Sequence, residues 1–130
     1  MSNISGDGVR ALGSWPDPFG WSRRRVDGAD VIWLAGELDF DTAAELRLRL
    51  IRVAESSTAA TIVLDLSDVC FMDGKCAGVI VAAWEAARCH GRQLEVDGLH
   101  GTPEFVFDVL GLEPILARRT ETSEGGRDSG

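Results

Sequence analysis

With 130 residues and an apolar content of 45%, the chain is long enough to form one domain with a sizeable core and no stabilising cross-links. The formal charge is −8, and residues 30–117 are the acidic part, with fifteen acidic residues against six basic ones. This balance argues against binding to nucleic acid, which requires a basic face, and it fits either a basic protein partner or simple solubility.

No stretch reaches the roughly 18 apolar residues that span a bilayer. The N-terminus also lacks the basic-then-apolar pattern of a secretion signal. Three cysteines, an odd number, favour a reducing compartment over a disulfide framework. We therefore expect a cytoplasmic protein that has no contact with a membrane.

Composition predicts three segments. Residues 1–19 are rich in Gly, Ser, Asp and Pro and predict a flexible N-terminal arm, residues 20–117 predict one domain, and residues 118–130 predict a disordered polar tail. Three aromatic residues stand out in and beside the arm: Trp15, Phe19 and Trp21. They either fold back onto the domain, which we favour, or dock a partner, since Trp is enriched at binding hot spots.

Two strands joined by a tight turn are predicted at the start of the domain. Residues 19–26 favour a short edge strand, and Asp27-Gly28 is a hairpin-type turn signal. The apolar run 31–35 then predicts a strand that ends at Gly36.

A helix follows this strand after a loop over residues 37–41. Thr42 and Glu45 match a capping box, in which the two side chains satisfy backbone groups of the first helical turn. The helix is expected to run to about Glu55, with one apolar face formed by Ala43, Leu46, Leu50 and Val53.

The second half of the domain continues the alternation of strands and helices. Residues 61–66 predict a central strand, and after a short turn residues 75–89 predict a helix that stops at Gly91. Residues 93–97 predict another strand. This alternation predicts an α/β fold whose sheet contains parallel neighbours.

A last helix is predicted near the end of the domain. Thr102 is placed as its cap and Pro103 as its first residue, and Gly111 closes it. Residues 114–116 then predict a short strand or turn.

The most informative stretch covers residues 61–79. Its strand leads into Asp65-Leu66-Ser67, and then come Phe71-Met72-Asp73 and the small-residue helix start Ala77-Gly78-Val79. A strand that delivers a loop to a helix N-terminus is a common docking place, because the first backbone N–H groups of the helix are unpaired.

This stretch resembles the signature of STAS domains, the fold of bacterial anti-sigma factor antagonists. Two further stretches resemble motifs of the same family: Gly36-Glu37-Leu38-Asp39 and Gly111-Leu112 followed by residues 115–116. The resemblance covers roughly residues 20–117. It implies an α/β fold with a small mixed β-sheet and helices packed on one face.

The turn before the second helix departs from the family pattern. In the family this turn reads Asp-Ser-Ser-Gly, and a partner kinase phosphorylates one of the serines. Here it reads Asp73-Gly74-Lys75-Cys76, so both serines are absent and Lys75 brings a positive charge. We therefore expect a divergent phosphorylation loop that cannot be switched by this route.

The resemblance also implies where a partner binds. The two turns that carry Asp39 and Asp73 are expected to lie near each other and to contact a kinase-like anti-sigma factor. The expected contacts are Asp39, Asp73, Gly74, Lys75 and Cys76. The alternative is that Asp73 caps the second helix and that Asp39 or Asp41 caps the first; a capping role and a binding role are compatible.

The cysteines support two interpretations. Cys76 would lie in the first turn of a helix, where the dipole favours a thiolate, and Cys70 lies on the far side of the same turn. A regulatory disulfide between Cys70 and Cys76 is one hypothesis. The other is that all three cysteines, including Cys89, are buried apolar side chains.

The remaining motifs argue against a cofactor, a metal and an enzymatic activity. The histidines are not spaced with cysteines for zinc, and Gly74-Lys75 lacks the other residues of a Walker A loop. No Gly-x-Ser-x-Gly elbow is present. A thiol enzyme using Cys76 is the one enzymatic alternative.

Two tryptophans of the predicted strands and helices, Trp33 and Trp84, are expected in the core.

The expected function is therefore that of a regulatory binding protein. It resembles an anti-sigma factor antagonist that sequesters a serine-kinase-type anti-sigma factor. The alternative is a STAS subunit of a lipid-transport ABC system or of a stressosome-like assembly. The sequence leaves the oligomeric state open.

Overall fold

A computed structural model of the protein describes residues 18–116, which contain four strands and three α-helices. The strands are β1 (Gly20–Val26), β2 (Ala29–Leu38), β3 (Thr61–Met72) and β4 (Gln93–Asp97). The helices are α1 (Ala43–Ser56), α2 (Gly74–Cys89) and α3 (Gly101–Leu110), followed by a single 3₁₀ turn at Glu113–Ile115. Most of the predicted arm, with Trp15, and the predicted tail lie outside the described residues.

The four strands form one mixed sheet in the order β1-β2-β3-β4. β1 runs antiparallel to β2, and the other two pairs are parallel. Asp27 and Gly28 both have positive φ, 52° and 84°, as a primed hairpin turn requires. Parallel neighbours need crossover connections, and α1 and α2 supply them, so the predicted α/β fold with a small mixed sheet is confirmed.

The core lies between one face of the sheet and the helices. Alternate side chains of β2 and β3 are buried on this face, as the period of two along a strand dictates: Ile32, Leu34, Ile62 and Leu64. The predicted apolar face of α1 is confirmed, because all four of its residues are buried. Phe107 anchors α3 in the same core.

One of the two tryptophans predicted in the core is not there. Trp33 is out of phase with the buried Ile32 and Leu34, so its side chain lies on the other face of the sheet. Its indole Nε1 donates a hydrogen bond to Asp68 Oδ2 at 2.7 Å. Trp84 packs against the core but is only half-buried, with the Arg88 guanidinium 4.8 Å from its ring centroid.

β2 and β3 are longer than the sequence predicts. The strand expected to end at Gly36 runs on to Leu38, and the strand expected over residues 61–66 runs on to Met72. The pairing register between them shifts twice, once on either side of Ala35-Gly36. The predicted turn between residues 67 and 70 is therefore wrong, because β-bulges let the strand continue.

The start of α1 also differs from the prediction. Thr42 is the N-cap residue, but its side chain makes no capping hydrogen bond to the helix. Its Oγ1 accepts instead from Asp39 N at 2.9 Å. Glu45 pairs with Arg49, whose Nε lies 2.6 Å from Oε2, so the predicted capping box is wrong.

The C-terminal ends of α2 and α3 agree with the sequence prediction, whereas the start of α3 does not. Gly91 and Gly111 have positive φ, 72° and 68°, and end these helices as predicted. The predicted start of α3 is wrong: the helix begins at Gly101 with His100 as its N-cap residue, two residues before the predicted start at Thr102-Pro103.

Two of the three N-terminal aromatic residues fold back onto the domain. Phe19 is buried, and its ring lies 6.4 Å from that of Trp21. The Arg49 guanidinium of α1 lies 5.3 Å and 5.4 Å from the two ring centroids, which is within cation–π range. None of the helices within residues 18–116 is long and apolar enough to cross a membrane.

Candidate functional site

Two turns at the carboxyl ends of β2 and β3 lie side by side. Asp73 N donates a hydrogen bond to Leu38 O at 3.1 Å. Cys76 Sγ lies 3.3 Å from Asp39 O. Because neighbouring parallel strands end at the same edge of a sheet, their following turns share one surface, and the structure thus brings together the turns that carry Asp39 and Asp73.

The carboxylate of Asp39 shapes the turn between β2 and α1. Its Oδ1 accepts hydrogen bonds from Asp41 N at 3.0 Å and from Thr42 N at 3.2 Å. This is an Asx turn, in which a side chain replaces a backbone acceptor. Asp39 therefore orders the loop before α1 but does not cap the helix, whose N-cap residue is Thr42.

The carboxylate of Asp73 caps α2. Its Oδ1 accepts from Cys76 N at 2.9 Å, which satisfies one of the unpaired donors at the helix start. The side chain is half-buried. Asp73 thus fixes the direction in which the first turn of α2 presents its other residues.

Gly74 and Lys75 are exposed in that first turn. The Lys75 ammonium lies 4.3 Å from the ring centroid of Phe40, which belongs to the neighbouring turn and is 68% exposed. A Cβ added at Gly74 would meet no atom within 4 Å. Gly74, the position that the resemblance aligns with a family serine, is therefore open to solvent and has room for a side chain.

A groove between α1 and α2 extends this surface. Its volume is about 540 Å³, and its lining is apolar except for two cations, Arg47 and Lys75. Sequence reasoning missed Phe40 and Arg47; the signal for Phe40 was an aromatic residue between two aspartates in a loop. We call the following residues together the turn surface: Asp39, Phe40, Arg47, Asp73, Gly74, Lys75 and Gly78.

Cys76 lies beneath the turn surface. Its side chain is fully buried, so it supports the surface from below and is not an exposed contact. Burial, together with the nearby charge of Asp73, raises the pKa of the Cys76 thiol from 9.0 to about 12. The predicted thiolate is therefore wrong, because loss of hydration and a carboxylate neighbour outweigh the helix dipole.

The other two cysteines are exposed, so the alternative of three buried cysteines is wrong. Cys70 Sγ lies 3.4 Å from Gly36 O at the second β-bulge. The disulfide between Cys70 and Cys76 stays a prediction. Within residues 18–116, no group of three His, Cys, Asp or Glu side chains is arranged to hold a metal ion.

Comparison with known proteins places this geometry in context. Residues 21–117 match the family model described as "Mlab, STAS domain". The anti-sigma-B factor antagonist of Bacillus subtilis is 33% identical over 93 residues, which is 72% of this chain and 83% of that protein. The anti-sigma F factor antagonist of Paenibacillus polymyxa is 27% identical over 89 residues, which is 68% of this chain and 76% of that protein.

Solved structures share the fold. The anti-sigma factor antagonist SpoIIAA in its unphosphorylated form has a TM-score of 0.65 at 22% identity, covering 78% of this chain and 90% of that chain. An anti-sigma factor antagonist from Mycobacterium paratuberculosis has a TM-score of 0.67 at 23% identity, covering 79% and 86%. At these identities the likeness concerns the arrangement of the sheet and helices.

Proposed function

The chain belongs to the STAS domain family, and we propose that it acts as an anti-sigma factor antagonist that sequesters a serine-kinase-type anti-sigma factor. The antagonists of this family are regulators without enzymatic activity. The relatives named as antagonists supply the partner class, since their matches cover most of the domain. The proposal requires a cytoplasmic protein, because sigma factors act there.

The observation that carries this proposal is the junction of Lys75 with Phe40. An exposed aromatic ring and an exposed cation from two different turns form one contact at the start of α2. Aromatic and cationic side chains that flank an apolar groove are the types that dominate protein interfaces. The turn surface therefore suits a protein partner better than a small molecule.

The second part of the proposal concerns regulation. Gly74 and Lys75 stand where the family carries its two serines, so this turn offers no hydroxyl to a kinase. Lys75 also supplies a positive charge where a phosphate would supply a negative one. Binding to the anti-sigma factor is then constitutive, or it is controlled by something other than phosphorylation of this turn.

The experiment uses purified full-length chain and purified kinase-like anti-sigma factors from the source genome. One of them is expected to form a stable complex in calorimetry, and addition of ATP is expected to leave both the complex and the intact mass of the chain unchanged. Failure of every such factor to bind would refute the partner. A phosphate that the anti-sigma factor adds to the chain, together with loss of the complex, would refute the regulatory part.

A gain-of-function variant sharpens this test. The double substitution Gly74→Ser and Lys75→Ser restores both hydroxyls at exposed positions where Gly74 has room for a Cβ. This variant is expected to gain about one phosphate from the partner kinase and to lose the complex in the presence of ATP. The matched control is Gly74→Ala with Lys75→Ala, which changes the same positions without adding a hydroxyl.

A second candidate function is a STAS subunit of a lipid-transport ABC system. The observation that favours it is the match of residues 21–117 to the family model described as "Mlab, STAS domain". The same turn surface would then contact a transporter ATPase. Co-purification with that ATPase, together with no binding to any anti-sigma factor, would favour this function over the first. A stressosome-like assembly would instead be detected as a large complex of STAS proteins.

A further inference from the structure

The exposed side of α1 carries an apolar groove whose charged lining residues are two arginines and one glutamate. Its lining residues are Ala44, Arg47, Leu48, Ile51, Arg52 and Glu55, and its volume is about 460 Å³. Leu48, one of these lining residues, is 48% exposed. Among residues 18–116, no ion pair engages Arg47 or Arg52, so both cations are available to an acidic surface.

The exposed side of α3 has the opposite character. Phe105, Val109 and Leu110 are 67%, 65% and 50% exposed. Phe105 and Val109 are four residues apart on the helix and therefore lie next to each other. The charged residues from 101 to 116 are all acidic: Glu104, Asp108 and Glu113.

We propose that these two faces bind each other between copies of this chain: α3 of one molecule docks on the α1 groove of the next. An exposed apolar patch of this kind commonly marks an interaction site. The chain itself supplies one apolar face with basic residues and one with acidic residues. Complementary charge of this kind fixes the orientation and the choice of partner more than it adds affinity.

In this proposal each pair of copies is joined once, by one α1 face and one α3 face, so the contact is heterologous. α1 packs mainly against α2, and α3 packs mainly against β3. The two faces therefore lie on different parts of the molecule. A heterologous contact leaves one free face at each end, and assembly continues into a ring or an open chain. The inference stands independently of the proposed function.

The self-association also has a consequence for the turn surface. The α1 groove shares Ala44 and Arg47 with the groove between α1 and α2. A second copy seated on α1 would therefore cover part of the surface proposed to bind the anti-sigma factor. Self-association and partner binding are expected to compete.

The first test is sedimentation velocity of the full-length chain over a range of concentrations up to about 1 mM, where even a contact with a Kd of about 1 mM is substantially formed. The average mass is expected to rise with concentration without a limit at the dimer. It is expected to rise less at high salt, since salt screens the charged rims. A chain that stays monomeric throughout overturns the proposal.

The second test separates the two faces. Arg47→Glu with Arg52→Glu alters the α1 face and leaves the α3 face intact, and Phe105→Ser with Val109→Ser alters the α3 face and leaves the α1 face intact. Each variant alone is expected to lose association by at least about tenfold in Kd. An equimolar mixture is expected to form a dimer that grows no further, because each variant retains one intact face.

Other outcomes contradict the proposal directly. Association that survives the α1 substitutions points to contact between α3 faces, and association that survives the α3 substitutions points to another surface. Loss in both variants without recovery in the mixture also overturns it. Circular dichroism checks folding, and if the serine variant misfolds, Glu104→Lys with Asp108→Lys replaces it as the α3 variant.

Discussion

At the scale of single residues, Cys76 shows how the base of the turn surface limits its chemistry. The thiol is buried and lies close to the carboxylate of Asp73, and these neighbours keep it protonated at neutral pH. A helix N-terminus alone would have favoured the thiolate. The buried side chain therefore contributes packing beneath the exposed Gly74 and Lys75.

The first prediction concerns the reactivity of the three cysteines. At pH 8, iodoacetamide is expected to modify the exposed Cys70 and Cys89 and to leave Cys76 unmodified, as read by peptide mass spectrometry. The folded-state pKa of Cys76 exceeds the unfolded value of 9.0, so its contribution to stability is complete below about pH 9 and is lost as the pH rises toward about 12. Labelling of Cys76 at the rate of Cys70 would contradict this.

Asp30 is the buried charge that ties the start of the sheet together. Its Oδ2 accepts from Arg23 Nη2 at 2.9 Å and from Ser57 Oγ at 2.5 Å, and Arg25 Nε lies 3.5 Å from Oδ1. Burial acts to raise the pKa of this carboxyl. The hydrogen bonds from Arg23 and Ser57 and the two guanidinium charges outweigh it and lower the pKa below 3.8.

The second prediction follows from this carboxyl. Asp30→Asn is expected to lower the free energy of unfolding at pH 7 by about 1–3 kcal/mol, because it removes charged hydrogen bonds. The folded-state pKa is lowered, so the stabilisation exists above the unfolded value of 3.8 and disappears as the pH falls through the folded value. The gap between wild type and variant in urea denaturation should therefore close below about pH 4.

The matched control for this prediction is Asp108→Asn, which changes an exposed carboxylate on α3. It is expected to change the free energy of unfolding by less than about 0.5 kcal/mol. An Asp30→Asn variant as stable as this control at pH 7 would show that the buried charge contributes nothing.

At the scale of elements, β3 explains both the success and the failure of the sequence prediction. Its buried residues are two apart up to Leu66 and then three apart, at Val69 and Met72. Two register shifts against β2 cause this change. A rule based on a period of two recognises the first half of the strand and reads the second half as a turn.

The third prediction tests the bulge in β2. Gly36 has a φ of 96°, a conformation that an L residue adopts only with strain. Gly36→Ala is expected to lower the free energy of unfolding by about 1–2 kcal/mol, although the added Cβ has room. Gly74→Ala is the matched control, since Gly74 has room and no positive φ, and it is expected to be neutral or slightly stabilising.

A loss with Gly74→Ala equal to that with Gly36→Ala would contradict the role of backbone strain. The comparison also bears on the site, because Gly36 lies just before the turn that carries Asp39 and Phe40. A strained bulge there sets the direction in which β2 delivers this turn. Thermal denaturation of Gly36→Ala and Gly74→Ala measures the change in stability caused by each substitution.

At the scale of the whole molecule, motifs and periodicity predicted the fold and the two turns but not the surface between them. Asp39 and Asp73 could be assigned to turns between a strand and a helix from the sequence, and the family resemblance implied that these two turns lie near each other. Phe40 and Arg47 could not be placed, because whether a side chain faces solvent or a neighbouring turn depends on how α1 packs against α2. The exposed face of α3 could not be placed either, because it depends on which side of that helix packs against β3.

The central claim is that the turn surface binds a kinase-like anti-sigma factor, and its most direct test is one titration by calorimetry with three versions of the chain. Lys75→Glu reverses the exposed charge beside Phe40, whereas Arg88→Glu reverses a charge at the far end of the same helix. Lys75→Glu is expected to weaken binding at least about tenfold, and Arg88→Glu is expected to bind like wild type. Equal affinity of wild type and Lys75→Glu would contradict the account.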